Sequence, residues 1–472
     1  MNAADVPAEL SHAFEVQRAS FDAAQFPDWE VRRDRLARLR RLVADNEAAI
    51  EDAIDADFGG RPRIETQIAE VFPSLGEIKG ALRRGQKWMR PRNAGVSLWF
   101  QPATAHIQPR PLGVVGIVVP WNYPLYLAVG PLVAALVAGN RAMVKMSEYT
   151  PAFSTLFQQL VAATFAPEEV TVVTGGPDVA ADFTRLPFNH LLFTGSTVVG
   201  RKVMGAAAEN LTPVTLELGG KSPTVIAPGY PLEKAAQRVL AGKLLNAGQT
   251  CIAPDYVLVH RNELRAFVEA TKHQAKRMYP AGLDDPDYCS IINQRQYGRL
   301  VVYLDEARAG GVEVVPLFEG RSQDDERHRL GPVAVVDPGR DLTLMREEIF
   351  GPLLPLLPYD DVKDAIDFVN AQPSPLAMYW FDDDRKRTEW ALKESHAGGM
   401  CVNETLMHVA QEDLPFGGVG ASGMGHYHGE WGFETVSKLT PVFKQSRFNG
   451  MNLFMPPYKP RVQTILRLMK RF

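Results

Sequence analysis

The sequence predicts an α/β protein built on two largely parallel β-sheets. From about Leu112 onward, short apolar strands alternate with helical segments, which is the pattern of βαβ units. A second series of the same kind follows Gly220, whereas residues up to about 90 have the spacing of helices. Because 472 residues are too many for one simple core, we expect two or three domains.

The individual elements follow from apolar, β-branched runs that are short enough to be strands and are separated by helical segments. The first series predicts strands at Val114 to Val119, Arg141 to Lys145, Thr171 to Val173, His190 to Phe193 and Val214 to Leu218, the last stopped by Gly219 and Gly220. The second predicts strands at Thr224 to Ile226 and Tyr256 to Val259, and helices at Leu232 to Leu245 and Leu264 to Met278. An N-terminal helix is predicted over Asp34 to Ile54.

Composition is that of an ordinary globular protein, with 46% hydrophobic and 22% charged residues. The net charge of −4 gives no general reason to expect nucleic acid as a partner. Three cysteines argue against a disulfide framework and for a reducing compartment. The start MNAADVPAEL lacks the features of a signal peptide, and the longest apolar run, Leu125 to Gly139, is too short to span a bilayer. We expect a cytoplasmic protein and predict no metal site.

Two side chains carry the chemical argument: Cys251, in NAGQTCIAPD, and Glu217, in PVTLELGGKSP. A thiolate attacks a carbonyl carbon readily, and a glutamate is a suitable general base for the water that must then clear a thioester. The pair is typical of covalent catalysis in two steps at one carbon. From the residues alone, the alternatives are an inert buried cysteine, which we expect for Cys289 and Cys401, and a glutamate at a solvated strand end.

Two further segments are candidates for binding a dinucleotide. HLLFTGSTVVGRKVMGAAA places Gly195 and Gly200 around a turn between a strand and a helix, where N–H groups can approach a pyrophosphate, although most such turns bind nothing. MVKMSEYTP places Lys145 and Glu148 just beyond a strand. Lys145 could donate to ribose hydroxyls, and a Glu148 carboxylate would repel a 2′-phosphate, which favours NAD over NADP. The alternative for both is an ordinary exposed ion pair.

Together with VVPWNYPLYL, REEIFGPLLP and LPFGGVGASGMG, these segments resemble the aldehyde dehydrogenase superfamily in the expected order, over roughly residues 30 to 450. Within it, PVTLELGGKSP, APDYVLV and LPFGGVGASGMGHYHG are most similar to the class 3 branch and to bacterial coniferyl aldehyde dehydrogenases. Met146 stands where the family usually has proline, and Glu404 stands where aspartate is common. Met146 leaves the local turn less rigid, so NADP remains the alternative cofactor.

The resemblance implies a role for each matching residue. Cys251 would be the nucleophile, Glu217 the general base, and Asn122 the side-chain donor to the oxyanion beside the N–H of Cys251. Glu348 and Phe350 would hold the nicotinamide ribose and ring. The rest of the dinucleotide would be bound by Lys145, Glu148, Gly195, Ser196 and Gly200.

The resemblance also implies the domain organisation. A Rossmann-type dinucleotide-binding domain would comprise residues 1–90 and 109–219, and an α/β catalytic domain residues 220–430. A small β bridging element would combine 91–108 with 431–446, followed by a tail at 447–472. In this family such a bridge adds strands to a neighbour's sheet, so a homodimer is expected.

The aldehyde is the least determined feature. Candidates for lining its channel are Tyr123, Tyr126, Met407, His408 and Phe416, which would suit a planar phenylpropenal such as coniferyl aldehyde, unless they are only core packing. A medium-chain aliphatic aldehyde is the alternative substrate. Transfer of the acyl group to coenzyme A would not need Glu217, a cysteine hydrolase would leave the dinucleotide motifs unexplained, and the intact site argues against a non-catalytic binding protein.

The C-terminal tail has a basic amphipathic pattern. One helical face would carry Val462, Ile465, Leu466, Met469 and Phe472, surrounded by Arg461, Arg467, Lys470 and Arg471. Such a helix can lie on a membrane, but its short length favours docking on the protein itself or on a partner subunit.

Overall fold

The structure is a computed structural model that describes residues 6–470. It begins with helices, which are α1 (Ala8–Ala23), α2 (Trp29–Ala44), α3 (Glu47–Phe58), α4 (Arg63–Thr66) and α5 (Phe72–Trp88), with a π-helical turn at Gln67–Val71. The helix predicted over Asp34 to Ile54 is therefore divided in two. The amide of Asn46 donates to Leu42 O at 2.8 Å and occupies a carbonyl that the last turn of α2 leaves free.

The first α/β series follows two short strands. In chain order the elements are β1 (Arg92–Ala94), β2 (Thr104–Pro111), β3 (Val114–Val118), α6 (Tyr126–Ala138), β4 (Arg141–Lys145), α7 (Pro151–Thr164), β5 (Val170–Val173), α8 (Pro177–Thr184), β6 (His190–Thr194), α9 (Thr197–Ala208) and β7 (Val214–Glu217). The predicted strands of this series are confirmed, with ends that agree to within one residue.

The second series and the C-terminal elements complete the chain. They are β8 (Pro223–Ile226), α10 (Leu232–Leu244), β9 (Tyr256–His260), α11 (Leu264–Met278), α12 (Gln294–Ala309), β10 (Glu313–Pro316), β11 (Gln323–Asp324), β12 (Arg329–Leu330), β13 (Val333–Val336), α13 (Thr343–Arg346), β14 (Leu353–Tyr359), α14 (Val362–Asn370), β15 (Ala377–Phe381), α15 (Arg385–Glu394), β16 (Gly399–Val402), β17 (Gly423–Met424), α16 (Gly429–Thr435), β18 (Ser437–Lys444) and α17 (Pro460–Met469). Short 3₁₀ turns lie at Leu98–Phe100, Leu245–Gly248, Arg261–Glu263, Gly282–Asp284, Gly420–Ser422 and Met451–Phe454.

The first sheet has the order β17-β7-β6-β3-β4-β5, and all its neighbours are parallel except β17. Its carboxyl ends are level with one another, since Val118 is opposite Lys145 and Thr194 is opposite Glu217. The chain leaves β3 toward β4 and β5 but later returns on the other side of β3 with β6. This reversal is the point at which open α/β sheets bind ligands outside the carboxyl ends of their strands.

The second sheet has the order β10-β13-β14-β9-β8-β15-β16, in which only β10 is antiparallel to its neighbour. The α/β class predicted from the sequence is confirmed by these two parallel sheets. Strand β17 comes from the predicted range 220–430, yet it pairs with β7 of the first sheet, with Gly423 opposite Glu217. The division into domains at residue 220 stays a prediction.

A third, antiparallel sheet has the order β1-β2-β18. Strand β2 continues to Pro111, three residues beyond the predicted limit of 108, and pairs with β18 along eight positions from Thr104 to Pro111. The outer edge of β18 has no partner strand within residues 6–470.

The tail forms helix α17, in which Val462 is buried while Leu466 and Leu468 are exposed. Arg471 and Phe472, which belong to the predicted amphipathic pattern, lie outside the described residues. Across the described part of the chain, none of the helices combines the length and the apolar character needed to cross a membrane.

Candidate active site

Glu217 ends β7 at the carboxyl edge of the first sheet. Its side chain is buried, and neither carboxyl oxygen has a hydrogen-bond partner among residues 6–470. Burial raises the pKa of this carboxyl well above its usual range, because a charge would lose the solvation that water provides. The structure thus rejects the solvated strand end as an interpretation of Glu217. A buried acid without a structural partner is a candidate functional group.

Cys251 lies in the loop between α10 and β9. The loop begins with Asn246 and Ala247 at φ 53° and 50°, a left-handed conformation that costs non-glycine residues about 1 kcal/mol or more each. Reciprocal hydrogen bonds hold it: the Asn246 amide donates to Gln249 O at 3.3 Å, and the Gln249 amide donates to Asn246 O at 3.0 Å. The thiol is therefore carried on a loop with a defined, strained shape.

The Cys251 residue is partly exposed, and two acidic side chains lie near its thiol. Burial raises the pKa of this thiol to about 12, and the carboxylates of Glu348 and Glu217 contribute in the same direction. The N–H groups of Cys251 and Ile252 oppose the shift only in part. In this state the group is a protonated thiol, and the two carboxylates are close enough to act on it.

Asn122 follows β3 and meets the Cys251 loop. Its side-chain amide donates to Gln249 O at 3.2 Å, and its own carbonyl oxygen accepts from the Asn246 amide at 3.0 Å. A primary amide has two N–H donors, and only one has a partner among residues 6–470. The other donor is available on a buried side chain that is fixed to the loop of Cys251.

The segment that carries Glu348 is held by a partly buried ion pair between Lys221 and Asp255. Lys221 Nζ also donates to Glu347 O at 3.0 Å, and Asp255 Oδ1 accepts from Ile349 N at 2.9 Å. These bonds fix the main chain on both sides of Glu348, so that its side chain is directed to the edge of the first sheet.

Glu348 packs directly against the two glycines that follow β7. A β-carbon at Gly219 would overlap the Glu348 carboxylate, and the N–H of Gly220 donates to it. Burial raises the pKa of Glu348 to about 8, and the charge of Asp255 adds to the effect. Phe350, at φ 48°, lies edge-on to Trp121 with ring centroids 5.3 Å apart. Cys251, Glu217, Asn122, Glu348 and Phe350 thus belong to one site.

Lys145 lies at the carboxyl end of β4 and is buried, whereas Glu148 is exposed. Lys145 Nζ donates to Met146 O at 2.6 Å and to Gly175 O at 2.7 Å. The exposed ion pair considered as an alternative for these two residues is therefore wrong, because the amine is held by carbonyls at the sheet edge. Burial lowers the pKa of Lys145, and the charge of Glu148 opposes the shift.

The turn between β6 and α9 is closely packed and begins a capped helix. Ser196 caps α9 by accepting from Val199 N at 3.4 Å, and a β-carbon at Gly195 would overlap the Phe193 ring. Gly200 lets α9 approach Leu218 closely. The buried hydroxyl of Thr194 next to this turn has no partner among the described residues. The residues at this edge, with their helix N-terminus, amine and spare polar atoms, fit a dinucleotide.

The residues proposed to line a substrate channel separate into different environments. Tyr123 bonds through its hydroxyl to Thr250, next to Cys251, at 2.5 Å, and Tyr126 bonds to His428 Nε2 at 3.1 Å. Phe416 stacks on His428 with centroids 5.4 Å apart, and it also contacts His408 at 5.9 Å and Tyr427 at 6.1 Å. Met407 is half exposed and shares none of these aromatic contacts.

Several residues of this site were not predicted from the sequence. The aromatic cluster contains His428, which stands inside the motif LPFGGVGASGMGHYHG but was not singled out. Asn246 and Gln249 were within NAGQTCIAPD, yet their bonds to Asn122 depend on residues more than 120 positions away. The buried pair of Arg61 and Glu70, which also contacts Asn122, had no sequence signal beyond two charges in a helical region.

The sequence profile of the aldehyde dehydrogenase family matches residues 2–442. A probable coniferyl aldehyde dehydrogenase of Pseudomonas aeruginosa is 50% identical over 458 residues, which cover 97% of this chain and 95% of that protein. The coniferyl aldehyde dehydrogenase of Pseudomonas sp. strain HR199 is 44% identical, covering 93% and 92%. Among solved structures, the substrate-bound state of Staphylococcus aureus AldH has a TM-score of 0.93 at 36% identity, covering 98% of this chain and 99% of that chain. This chain therefore belongs to the aldehyde dehydrogenase family, and it is an NAD(P)-dependent oxidoreductase that acts on aldehydes.

Proposed function

We propose that this chain oxidises an aromatic aldehyde, with coniferyl aldehyde as the favoured example, to its carboxylic acid. Cys251 is the nucleophile, Glu217 the general base and Asn122 the oxyanion donor. The observation that carries the proposal is the combination, in one site, of a thiol, a buried carboxyl without partners and an amide with a spare donor. Each of these groups has a step to perform at one carbonyl carbon.

In the first step the Cys251 sulfur adds to the aldehyde carbon, and the thiol proton goes to solvent. The resulting oxyanion accepts from the Asn122 amide and from the N–H of Cys251, which stabilise it by a few kcal/mol in a site with little water. NAD(P), when bound, supplies the acceptor for the hydride that leaves this carbon. A thioester on Cys251 remains.

In the second step Glu217 takes a proton from a water molecule as the water oxygen attacks the thioester carbon. The carbon–sulfur bond breaks, the acid is released, and the sulfur recovers the proton from Glu217. A base must be ionised to act, so the raised pKa of Glu217 means that this step accelerates as the pH rises.

We infer that the cofactor is NAD rather than NADP. Lys145 and the turn at Gly195 and Ser196 would hold the ribose and the phosphates, and Glu348 and Phe350 would hold the nicotinamide end. NAD is supported by Glu148, an exposed carboxylate close enough to Lys145 to act on the pKa of that amine. The negative charge of Glu148 would repel the 2′-phosphate of NADP.

The favoured substrate is supported by the relatives named for coniferyl aldehyde and by the aromatic cluster around Phe416. Burial lowers the pKa of His408 to about 4 and that of His428 to about 3, so both imidazoles are neutral. One nitrogen of each ring has no partner among residues 6–470. A substrate with ring hydroxyl and methoxy groups offers such nitrogens a partner, whereas a hydrocarbon chain does not.

A long apolar aldehyde is the second candidate. The 4,4′-diaponeurosporen-aldehyde dehydrogenase of Staphylococcus aureus is 37% identical and covers 98% of this chain. Half-exposed apolar residues such as Met407 and Leu414 would suit such a substrate at the surface.

The Glu217→Gln variant tests the second step. Glutamine has the same shape but cannot accept the water proton, so we expect a burst of NADH, a thioester trapped on Cys251 and a steady-state kcat lowered by about 100-fold or more. Rapid-mixing absorbance and mass spectrometry of the intact protein measure these effects. Glu209→Gln, at an exposed position, serves as the control. Unchanged steady turnover in Glu217→Gln would remove this residue from the mechanism.

The pKa shifts predict how the thiol reacts in the cofactor-free protein. A thiol with a pKa of about 12 should react slowly with iodoacetamide at pH 7 and faster as the pH rises. Because Glu348 ionises at about pH 8, Glu348→Gln should accelerate alkylation at pH 9 by up to about tenfold and have little effect at pH 7. Mass spectrometry of the Cys251 peptide gives the rates, with exposed Glu319→Gln as the control. Equal rates for native protein and Glu348→Gln at pH 9 would contradict this electrostatic account.

The substrate is tested by kcat/KM for coniferyl aldehyde, benzaldehyde and a series of aliphatic aldehydes, each with NAD and with NADP. We expect coniferyl aldehyde with NAD to give the highest value, and Glu148→Gln to reduce the preference for NAD. A clear preference for aliphatic aldehydes would transfer the assignment to the second candidate. Absence of both NADH and NADPH formation with every aldehyde would reject the enzymatic function altogether.

We also propose a homodimer that forms through the third sheet. Strand β18 has eight residues and an outer edge without a partner strand in the described part of the chain, and exposed Phe443 and Phe100 pack on each other there. Light scattering should give twice the mass of one chain, and Phe443→Asp should reduce it, whereas Phe448→Asp, outside the strand, should not. A native protein with the mass of a single chain would disprove the dimer.

A further inference from the structure

An ion pair lies inside the protein beside Asn122 and has no part in the mechanism above. Arg61 Nη1 and Glu70 Oε1 are 2.8 Å apart, and both side chains are 0% exposed. Taking two charges out of water is costly, and a hydrophobic pair of similar volume is often at least as stable. Stability alone therefore does not account for charges at these positions.

The two charged groups hold both ends of one short segment. The second oxygen of Glu70 accepts from Leu125 N at 2.7 Å and from Tyr126 N at 3.2 Å, where α6 begins. Arg61 Nη1 also donates to Asn122 O at 3.2 Å. Since bonds to charged groups are stronger than bonds between neutral ones, the pair is a firm attachment for residues 122–126.

Local structure directs the pair to this place. Glu70 lies in the π-helical turn Gln67–Val71, whose additional residue changes the direction of the side chains that follow. The Arg61 guanidinium is 5.0 Å from the ring centroid of Tyr123. The hydroxyl of Tyr123 in turn bonds to Thr250, the neighbour of Cys251.

We propose that Arg61 and Glu70 are positioning residues for the oxidation: they hold the segment 122–126 so that the Asn122 amide is directed to the carbon attacked by Cys251. The inference rests on the proposed oxyanion role of Asn122. The positions of reacting groups matter at this scale, because a displacement of about 1 Å can cost on the order of 100-fold in rate.

The test replaces both charges together, because removing one would leave the other buried and unpaired. The variant R61M/E70L removes the hydrogen bonds that these two side chains make to residues 122–126, whereas R61M/E70Q keeps a side-chain oxygen for the N–H groups of Leu125 and Tyr126. We expect kcat to fall about 100-fold in R61M/E70L and about 10-fold in R61M/E70Q, with KM nearly unchanged. R63M/D52N, which alters an exposed ion pair nearby, should retain native activity.

Coupling to Asn122 separates positioning from a general structural effect. We expect Asn122→Ala to lower native kcat about 100-fold but to have little further effect in R61M/E70L, because an amide already displaced has little left to lose. If Asn122→Ala lowers kcat by the same factor in the native protein and in R61M/E70L, the positioning role is overturned and the oxyanion role of Asn122 is not. No loss from Asn122→Ala in the native protein overturns the proposed oxyanion role instead.

Hydrogen–deuterium exchange gives a measurement that does not depend on activity. The N–H groups of Leu125 and Tyr126 should exchange faster in R61M/E70L than in the native protein, with R61M/E70Q between them and α11 unchanged. Native protection at both amides in R61M/E70L overturns the inference. If R61M/E70L fails to fold, the same comparisons are made with R61M/E70Q. Native kcat together with native exchange in R61M/E70Q then overturns the inference.

Discussion

The main-chain carbonyl oxygen of Asn122 is the point on which the geometry of this active site depends. It accepts from Arg61, in the N-terminal helical region, and from Asn246, in the loop of Cys251. The side chain of the same residue donates to Gln249 O. Segments from distant parts of the chain are therefore fixed to one residue by buried hydrogen bonds, which are costly to break because each leaves a polar group without water or partner. These hydrogen bonds fix the position of the Asn122 side-chain amide relative to the loop of Cys251.

The second constraint is that the carboxyls around Cys251 are buried. Glu217 and Glu348 favour their neutral forms, and their negative charge, once present, opposes that of a thiolate. A site with these groups cannot hold all its charges at once, so ionisation of one member makes ionisation of the next harder. Burial itself keeps the thiol of the cofactor-free protein protonated. A protonated thiol is much less reactive toward oxidants than a thiolate.

The sequence predicts elements whose signal is local and misses contacts whose partners are distant. The strands that end at Lys145 and Glu217 are apolar runs bounded by turn residues, and their positions were correct. The break at Asn46 was missed because its cause is a side-chain bond to Leu42 O rather than a change in apolar spacing. The candidate site residues were predicted from motifs whose residues are contiguous in the sequence. The Arg61–Glu70 pair belongs to no such motif. Its contacts form only when α6 and the Cys251 loop are packed against it.

The residues of the site define the type of reaction more closely than they define the identity of the aldehyde. The reacting carbon is surrounded by groups that every aldehyde needs, and these groups are held by main-chain bonds around Asn122 and Cys251. In the proposed function, the aromatic cluster contacts the rest of the substrate through its rings and through neutral imidazoles such as His428, which carry no charge to reject an uncharged ligand. Discrimination must then come from buried polar atoms that a correct substrate satisfies and an incorrect one leaves unpaired. Such mismatches cost about 1–3 kcal/mol for each group, which is enough for a preference between aldehydes but not for exclusion.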